Sequence, residues 1–215
     1  ITGGTITGSI NGGSGNANTM VVNPGAGNSF SYAGSISNFN NVEIKSGDVT
    51  LSGVSTYSGA TQLSGGMLTL DGANRLSSDS ALLLNGGTLR LINAGANGQG
   101  FASLSLTDDS AVLLGGSSLT FGGLGAIVSG KTLSFTEAAS GAYAFRLLGD
   151  YSLDATFLSL LGATHIDGLS ARYSFDGTYT AVSAVTAAVP EPTTYAMLFA
   201  GLGLVAAIAR RRRII

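Results

Sequence analysis

Cysteine and tryptophan are both absent from this 215-residue chain. Without cysteine, no disulfide, thiolate metal site or cysteine nucleophile can form. Histidine occurs once, as His165 in Ala163-Thr164-His165-Ile166-Asp167. One imidazole without thiolates makes a poor metal site, and any Ser-His-Asp arrangement would have to use it. No Gly-x-Ser-x-Gly elbow accompanies it, so a surface or cap position is expected. Charge is scarce too: 10% of residues are Asp, Glu, Lys or Arg, against about 25% in ordinary soluble domains. Disorder requires low hydrophobicity with high charge, and this chain has neither, so it is expected to fold behind a surface of Ser, Thr, Asn and Gly. The Gly-rich stretch Asn11-Gly12-Gly13-Ser14-Gly15 lacks the lysine of a phosphate loop. No cofactor is implied.

What is abundant is glycine, 33 residues, and its placement is regular. Ser46-Gly47-Asp48-Val49-Thr50-Leu51, Gly65-Gly66-Met67-Leu68-Thr69-Leu70 and Gly86-Gly87-Thr88-Leu89-Arg90-Leu91 share one form. Gly116-Ser117-Ser118-Leu119-Thr120-Phe121 and Ser129-Gly130-Lys131-Thr132-Leu133-Ser134-Phe135 repeat it. Each is a glycine turn followed by apolar–polar–apolar alternation, which puts alternate side chains on one face of a strand. Val49, Leu68 and Leu89 are equivalent positions of the first three copies, and their nearly even spacing suits one solenoid coil per copy. Asp79–Leu89 also aligns on Asp109–Leu119 at an offset of 30, with 7 of 11 positions identical. One such coil cannot bury its inward Leu and Val alone, but a pile of coils can. The expected fold is all-β, a right-handed parallel β-helix (solenoid), with a β-sandwich as the alternative.

Thr5-Ile6-Thr7 and Met20-Val21-Val22 are strand candidates. The pattern changes after residue 137. Tyr143–Leu148 reads as a strand. Asp154 can cap a short helix with Phe157, Leu158 and Leu161 on one face. Arg172–Phe175 and Thr178–Val182 read as a hairpin on Asp176-Gly177. Because a solenoid end exposes strand edges and apolar side chains, residues 138–182 are expected to form a cap of mixed β structure with that helix. Residues 183–188 then form a linker.

Residues 189–215 carry three parts in order. Val189-Pro190-Glu191-Pro192 comes first, where proline keeps the backbone out of a helix. Thr193 to Ala209 is 17 residues without charge, long enough for a single transmembrane helix of roughly 25 Å. Arg210, Arg211, Arg212 and Arg213 follow; they resist transfer and hold that end cytoplasmic. Residues 1–188 are then expected on the far side of the membrane. Upstream of Val189 there are 6 basic and 11 acidic residues, a net of −5, which argues against a nucleic-acid partner. The chain begins at Ile1 with no basic, apolar leader, so a longer exported precursor is expected.

Residues 189–215 resemble the PEP-CTERM sorting signal of Gram-negative bacteria. The resemblance implies recognition of Pro190, Glu191 and Pro192 by an exosortase. It also implies transient anchoring in the inner membrane with the bulk of the chain periplasmic. Removal of the helix and delivery to the outer surface or to extracellular polysaccharide would follow. Gly47–Gly53, Thr56-Tyr57-Ser58-Gly59-Ala60-Thr61 and Gly65–Leu70 are similar to the autotransporter-associated β-strand repeat, which implies a parallel β-helix on a bacterial surface and no single activity.

Parallel β-helices also host glycan-cleaving enzymes, which need converging carboxylates. Asp79, Asp108 and Asp109 are the candidates, with Asp48 and Asp71 behind them. Asp79 and Asp109 share a place in the repeat at offset 30, which favours a turn role. Ice binding would need regular Thr-x-Thr, found only at Thr5–Thr7 and Thr178–Thr180, outside the repeats. The expectation is a non-enzymatic surface structural or adhesive protein. The alternatives are a glycan-active enzyme whose site lies mostly upstream of Ile1, or a glycan-binding module using a surface Tyr57.

Overall fold

The structure is a computed structural model. It describes residues 1–15, 17–96 and 98–185, with Met197, Leu198, Ala200 and Leu202 beyond them. Ile1–Val185 is one compact unit and Thr186–Ile215 a second. The first unit is a β-solenoid of about six coils. Coil one carries β1 (Ile10–Asn11), β2 (Thr19–Val22) and β3 (Ser29–Tyr32), and coil two β4 (Ile36–Ser37), β5 (Asn41–Ile44) and β6 (Asp48–Leu51). Coil three carries β7 (Ala60–Leu63) and β8 (Met67–Asp71), and coil four β9 (Leu82–Asn85) and β10 (Thr88–Ile92). Coil five carries β11 (Gln99–Phe101), β12 (Leu104–Asp108) and β13 (Ser110–Leu113), and coil six β14 (Leu119–Phe121), β15 (Leu124–Ile127) and β16 (Leu133–Thr136). The cap follows: β17 (Phe145–Leu148), α1 (Ala155–Gly162), β18 (Thr164–Ile166), β19 (Leu169–Phe175) and β20 (Tyr179–Ala184).

Three walls result. β2-β5-β7-β9-β12-β15 form one parallel sheet, and β3-β6-β8-β10-β13-β16-β18 run parallel along a second. The third wall holds the pair β1-β4 and the parallel trio β11-β14-β17. The alternation read in the sequence becomes a ladder of inward side chains along the second wall: Phe30, Val49, Leu68, Leu89, Val112, Phe135 and Ile166 stand in register. All are buried, and each contributes roughly 1.5–3 kcal/mol of apolar burial. At the C-terminal end Phe101 stacks on Phe121 and Phe135 on Phe145, and Phe121 meets Phe145 edge-on, at 5.3–6.1 Å between centroids. Gly66 makes the close stacking of turns possible. Its φ is +63°, and a Cβ there would overlap the Gly47 carbonyl of the coil below.

The coil is not of fixed length. On the second wall Val49 faces Leu68, Leu68 faces Leu89 and Leu89 faces Val112, and each step along the chain is longer than the one before. The match of Asp79–Leu89 to Asp109–Leu119 is therefore not a coil. Leu89 faces Val112 and not Leu119, and the copy Gly116–Phe121 lands on β14 of the third wall while the other four lie on the second. The match arises because every wall needs the same inside–outside alternation after a glycine turn, whichever side of the coil it forms. Thr5-Ile6-Thr7 forms no strand, whereas Met20–Val22 lies within β2.

The third wall is interrupted in coils three and four, where single bonds replace ladders. Thr56 N–H donates to Ile36 O (2.9 Å) and Ser55 N–H to Arg75 O (2.8 Å). Above them the buried Gln99 takes over from a strand. Its Oε1 accepts from Leu76 N–H at 3.1 Å, and its Nε2 donates to Leu76 O at 2.9 Å. One side chain thus satisfies both backbone groups of a buried residue, which would otherwise be costly.

The cap closes the far end. Antiparallel pairings β18-β19, β19-β20 and β20-β17 join the second wall to the third, so the last edges of both are paired. Asp154 caps α1 by accepting from Phe157 N–H at 2.8 Å, as its position before the helix suggests. The buried face of α1 is Phe157 and Leu160, with Leu161 partly buried against the core; of the expected trio Phe157, Leu158 and Leu161, Leu158 is instead turned outward. Asp176 N–H donates to Tyr179 O (3.2 Å), so the hairpin turn is Gly177-Thr178, one residue beyond the expected Asp176-Gly177. β20 also runs through Ser183 and Ala184, into the segment read as a linker. The expected transmembrane helix over 193–209 lies outside the described residues, apart from four isolated positions. No helix among the described residues is long and apolar enough to cross a membrane.

Candidate functional site

The acidic candidates sit at coil corners. Asp108 ends β12 and Asp109 precedes β13. Asp108 Oδ1 accepts from Lys131 Nζ at 2.6 Å and from Asp109 N–H at 2.9 Å. Asp109 Oδ1 accepts from Thr132 N–H at 2.7 Å and Thr132 Oγ1 at 3.1 Å. Lys131 and Thr132 belong to the next coil, so the two carboxylates fasten coil five to coil six. The Lys131 hydrogen bond, then that from Asp109 N–H, holds the Asp108 carboxyl below the usual carboxylate range. The backbone and hydroxyl donors of Thr132 do the same for Asp109. Hydrolysis of a glycosidic bond needs one carboxyl raised so that it keeps a proton. These two are shifted the other way.

Of the remaining acidic candidates, only Asp79 is set apart by wall. Asp79 lies before β9 on the first wall, whereas Asp109 lies before β13 on the second, so the repeat does not superpose them. Asp48 opens β6 facing outward, and Asp71 closes β8, accepting from Asn93 Nδ2 at 2.8 Å. His165 is exposed on β18 beside Ser134 and Ser170. No group of three or more His, Asp or Glu suited to a metal occurs among the described residues.

Tyr57 overturns one expectation. It is 1% exposed, not a surface ring. Its Oη lies 2.8 Å from Thr61 Oγ1, which lies 3.0 Å from Ser80 Oγ, and Ser80 Oγ donates to Gly59 O at 2.6 Å. Burial pushes the phenol well above its ordinary range. A Cβ on Gly59 would overlap the Asn40 backbone. The Tyr-x-Gly-x-Thr step is thus a buried polar lock at the corner of coil three, completed by a serine of coil four. Thr61, the one polar residue among the inward positions of β7, is the signal in the sequence that could have revealed it. Beside this corner runs a polar groove of about 250 Å³, lined by Ser14, Asn38, Phe39, Asn40, Thr56 and Ser58 among others.

Asp108 and Asp109 thus serve the contact between coils five and six. The strongest chemistry lies in the second unit, where Pro190, Glu191, Pro192 and Arg210–Arg213 fall outside the described residues. Residues 188–213 match the family model of the PEP-CTERM protein-sorting motif. The matched span takes in the whole Pro-Glu-Pro motif, the uncharged stretch and all four arginines. No curated protein and no solved structure matches the chain. The PEP-CTERM motif implies an exported protein, sorted by an exosortase and delivered through the membrane to the cell surface. A β-solenoid fits such a surface protein.

Proposed function

We propose that this chain is a structural or adhesive component of a Gram-negative cell surface or extracellular matrix, and that its PEP-CTERM segment is a disposable address. The observation that carries the reading is the matched motif at 188–213 directly after a capped solenoid. In it, Pro190-Glu191-Pro192 is the site recognised by the exosortase. Thr193–Ala209 enters the inner membrane as a helix, and Arg210–Arg213 stop transfer on the cytoplasmic side. The solenoid then rests in the envelope or in extracellular polysaccharide. The coils wind to the right, as parallel crossovers do, and the segment 46–72 is an autotransporter-associated repeat whose Tyr57 lock fastens one coil to the next. The protein is not an enzyme on this reading and needs no cofactor. Replacing Pro190, Glu191 and Pro192 together by alanine tests it in cells. The variant should accumulate in the inner membrane, and undiminished surface delivery would refute the recognition role.

A second reading, a glycan-binding module, draws on the groove at Asn38, Asn40, Thr56 and Ser58. Neutral amides and hydroxyls in a concave site suit sugar hydroxyls, with the partly buried Phe39 ring as a stacking face. Pull-down on extracellular polysaccharide with Asn40→Ala separates the readings: retention lost in the variant favours the groove, and no retention of the native chain rejects it.

A further inference from the structure

Apolar exposure is distributed unevenly over the first unit. Nine large hydrophobic side chains are exposed among its described residues, and seven of them lie between Leu148 and Val185. The six coils expose only Val54 and Val128. Within the cap, three of the seven lie on β19, and Leu153 and Leu158 lie on the turn and helix that pack beside it. Leu169, Tyr173 and Phe175 alternate along a single face of β19, the face that also carries buried Val182 on β20. That face extends past the core and is only partly roofed by α1, whose Phe157 packs edge-on against Tyr173 at 5.5 Å. Leu158 projects from the outer side of α1. Leu153 stands at the tip of the turn before it, 93% exposed, and Tyr173 Oη donates to Ser152 O beside it at 3.4 Å. Neither packing nor a turn requirement explains a leucine at such a tip, and a clustered apolar surface of this kind marks a contact site.

We propose that this patch, centred on Leu153 and Tyr173, is a membrane-interface contact that seats the cap on lipid while the tail is anchored. The inference rests on the reading of Thr193–Ala209 as a membrane segment. Thr193 stands only eight positions after Val185, a tether of at most about 28 Å. A tether that short holds the cap at a high effective concentration over the bilayer surface, so a shallow contact suffices. The chemistry favours the lipid interface over a charged partner. The cap, residues 138–185, holds Asp150, Asp154, Asp167 and Asp176 against Arg146 and Arg172. Binding must therefore come from apolar side chains and the amphipathic tyrosine at headgroup depth, with Asp150 and Asp154 remaining in water. It should not depend on anionic lipid or on low salt.

The absence of cysteine gives a direct test on the full chain. Leu153→Cys and, as a control on the coils, Val54→Cys each carry one environment-sensitive fluorophore. Both chains are reconstituted in phosphatidylcholine vesicles, and flotation scores tail anchoring separately. The expected result is a blue-shifted emission at position 153 that interfacial nitroxide lipids quench, unchanged by salt, with neither effect at position 54. Flotation without a shift at 153 overturns the cap contact and leaves the tail reading standing; failure to float overturns both. A shift that appears without lipid and grows with protein concentration assigns the patch to a second copy, through the half-paired β19, and overturns the lipid contact.

Discussion

Gln99 offers the sharpest test of how coil four, which has no third-wall strand, is held to coil five. Its amide satisfies Leu76 N–H and Leu76 O, and donates again to Gly100 O at 2.6 Å. Leu76 is 2% exposed, so no water can replace the lost partners. Gln99→Met keeps the volume and removes both bonds. Each buried group left unpaired costs about 1–3 kcal/mol, or about 2–4 kcal/mol for the pair after partial relaxation. At about 1.4 kcal/mol per tenfold, the Leu76 amide should exchange with solvent roughly 30- to 1000-fold faster. Native-state hydrogen exchange reads this at the single amide. It also avoids the assumption of all-or-none unfolding, which stacked repeats need not obey. Amides of Leu68 and Leu89 on the second wall should change far less. If Leu76 stays as protected in Gln99→Met as in the native chain, Gln99 does not substitute for the missing strand.

Two further outcomes follow from the same geometry. Gly59→Ala forces a Cβ onto the Asn40 backbone and should destabilise by about 2–4 kcal/mol; Tyr57→Phe, which leaves Thr61 and Ser80 bonded to each other, should cost only about 1 kcal/mol, both by urea titration. Asp108, Asp109, Asp150 and Asp176 all have carboxyls held below the ordinary range by hydrogen bonds. Their contribution is present above the unfolded value near pH 4 and is lost as pH falls through the folded values. Thermal stability should thus be level at neutral pH and fall below about pH 4, with a shallower fall in Asp109→Asn.

The solenoid is legible in the sequence because alternation is a local property. Val49, Leu68 and Leu89 each reveal their inward side within one short strand, and the glycine before each marks the turn. What alternation does not encode is which wall a strand joins. That is decided by corner lengths, which differ from coil to coil: the step from Leu89 to Val112 is longer than that from Val49 to Leu68. For this reason the Gly116–Phe121 copy shares the form of the others and yet joins a different wall. Partners one coil away are hidden for a related reason. Tyr57 reads as a surface aromatic until Ser80 of the next coil is seen to complete its lock, and nothing local to Gln99 marks its pairing with Leu76. The Asp154 cap is legible because capping is settled within one turn. The choice of Leu160 over Leu158 for burial is not, because it depends on where the core lies. The PEP-CTERM segment needs no tertiary partner for its pattern, so its order of Pro-Glu-Pro, uncharged run and arginines is readable directly.

Mass spectrometry of the protein recovered from surface and matrix fractions tests the central claim most directly. A disposable address predicts that solenoid peptides from Ile1–Val185 are present and that no peptide beyond the Pro190-Glu191-Pro192 region, Arg210–Arg213 included, accompanies them. Recovery of the intact C-terminus through Ile215 in those fractions would contradict sorting by removal and leave the segment a permanent anchor.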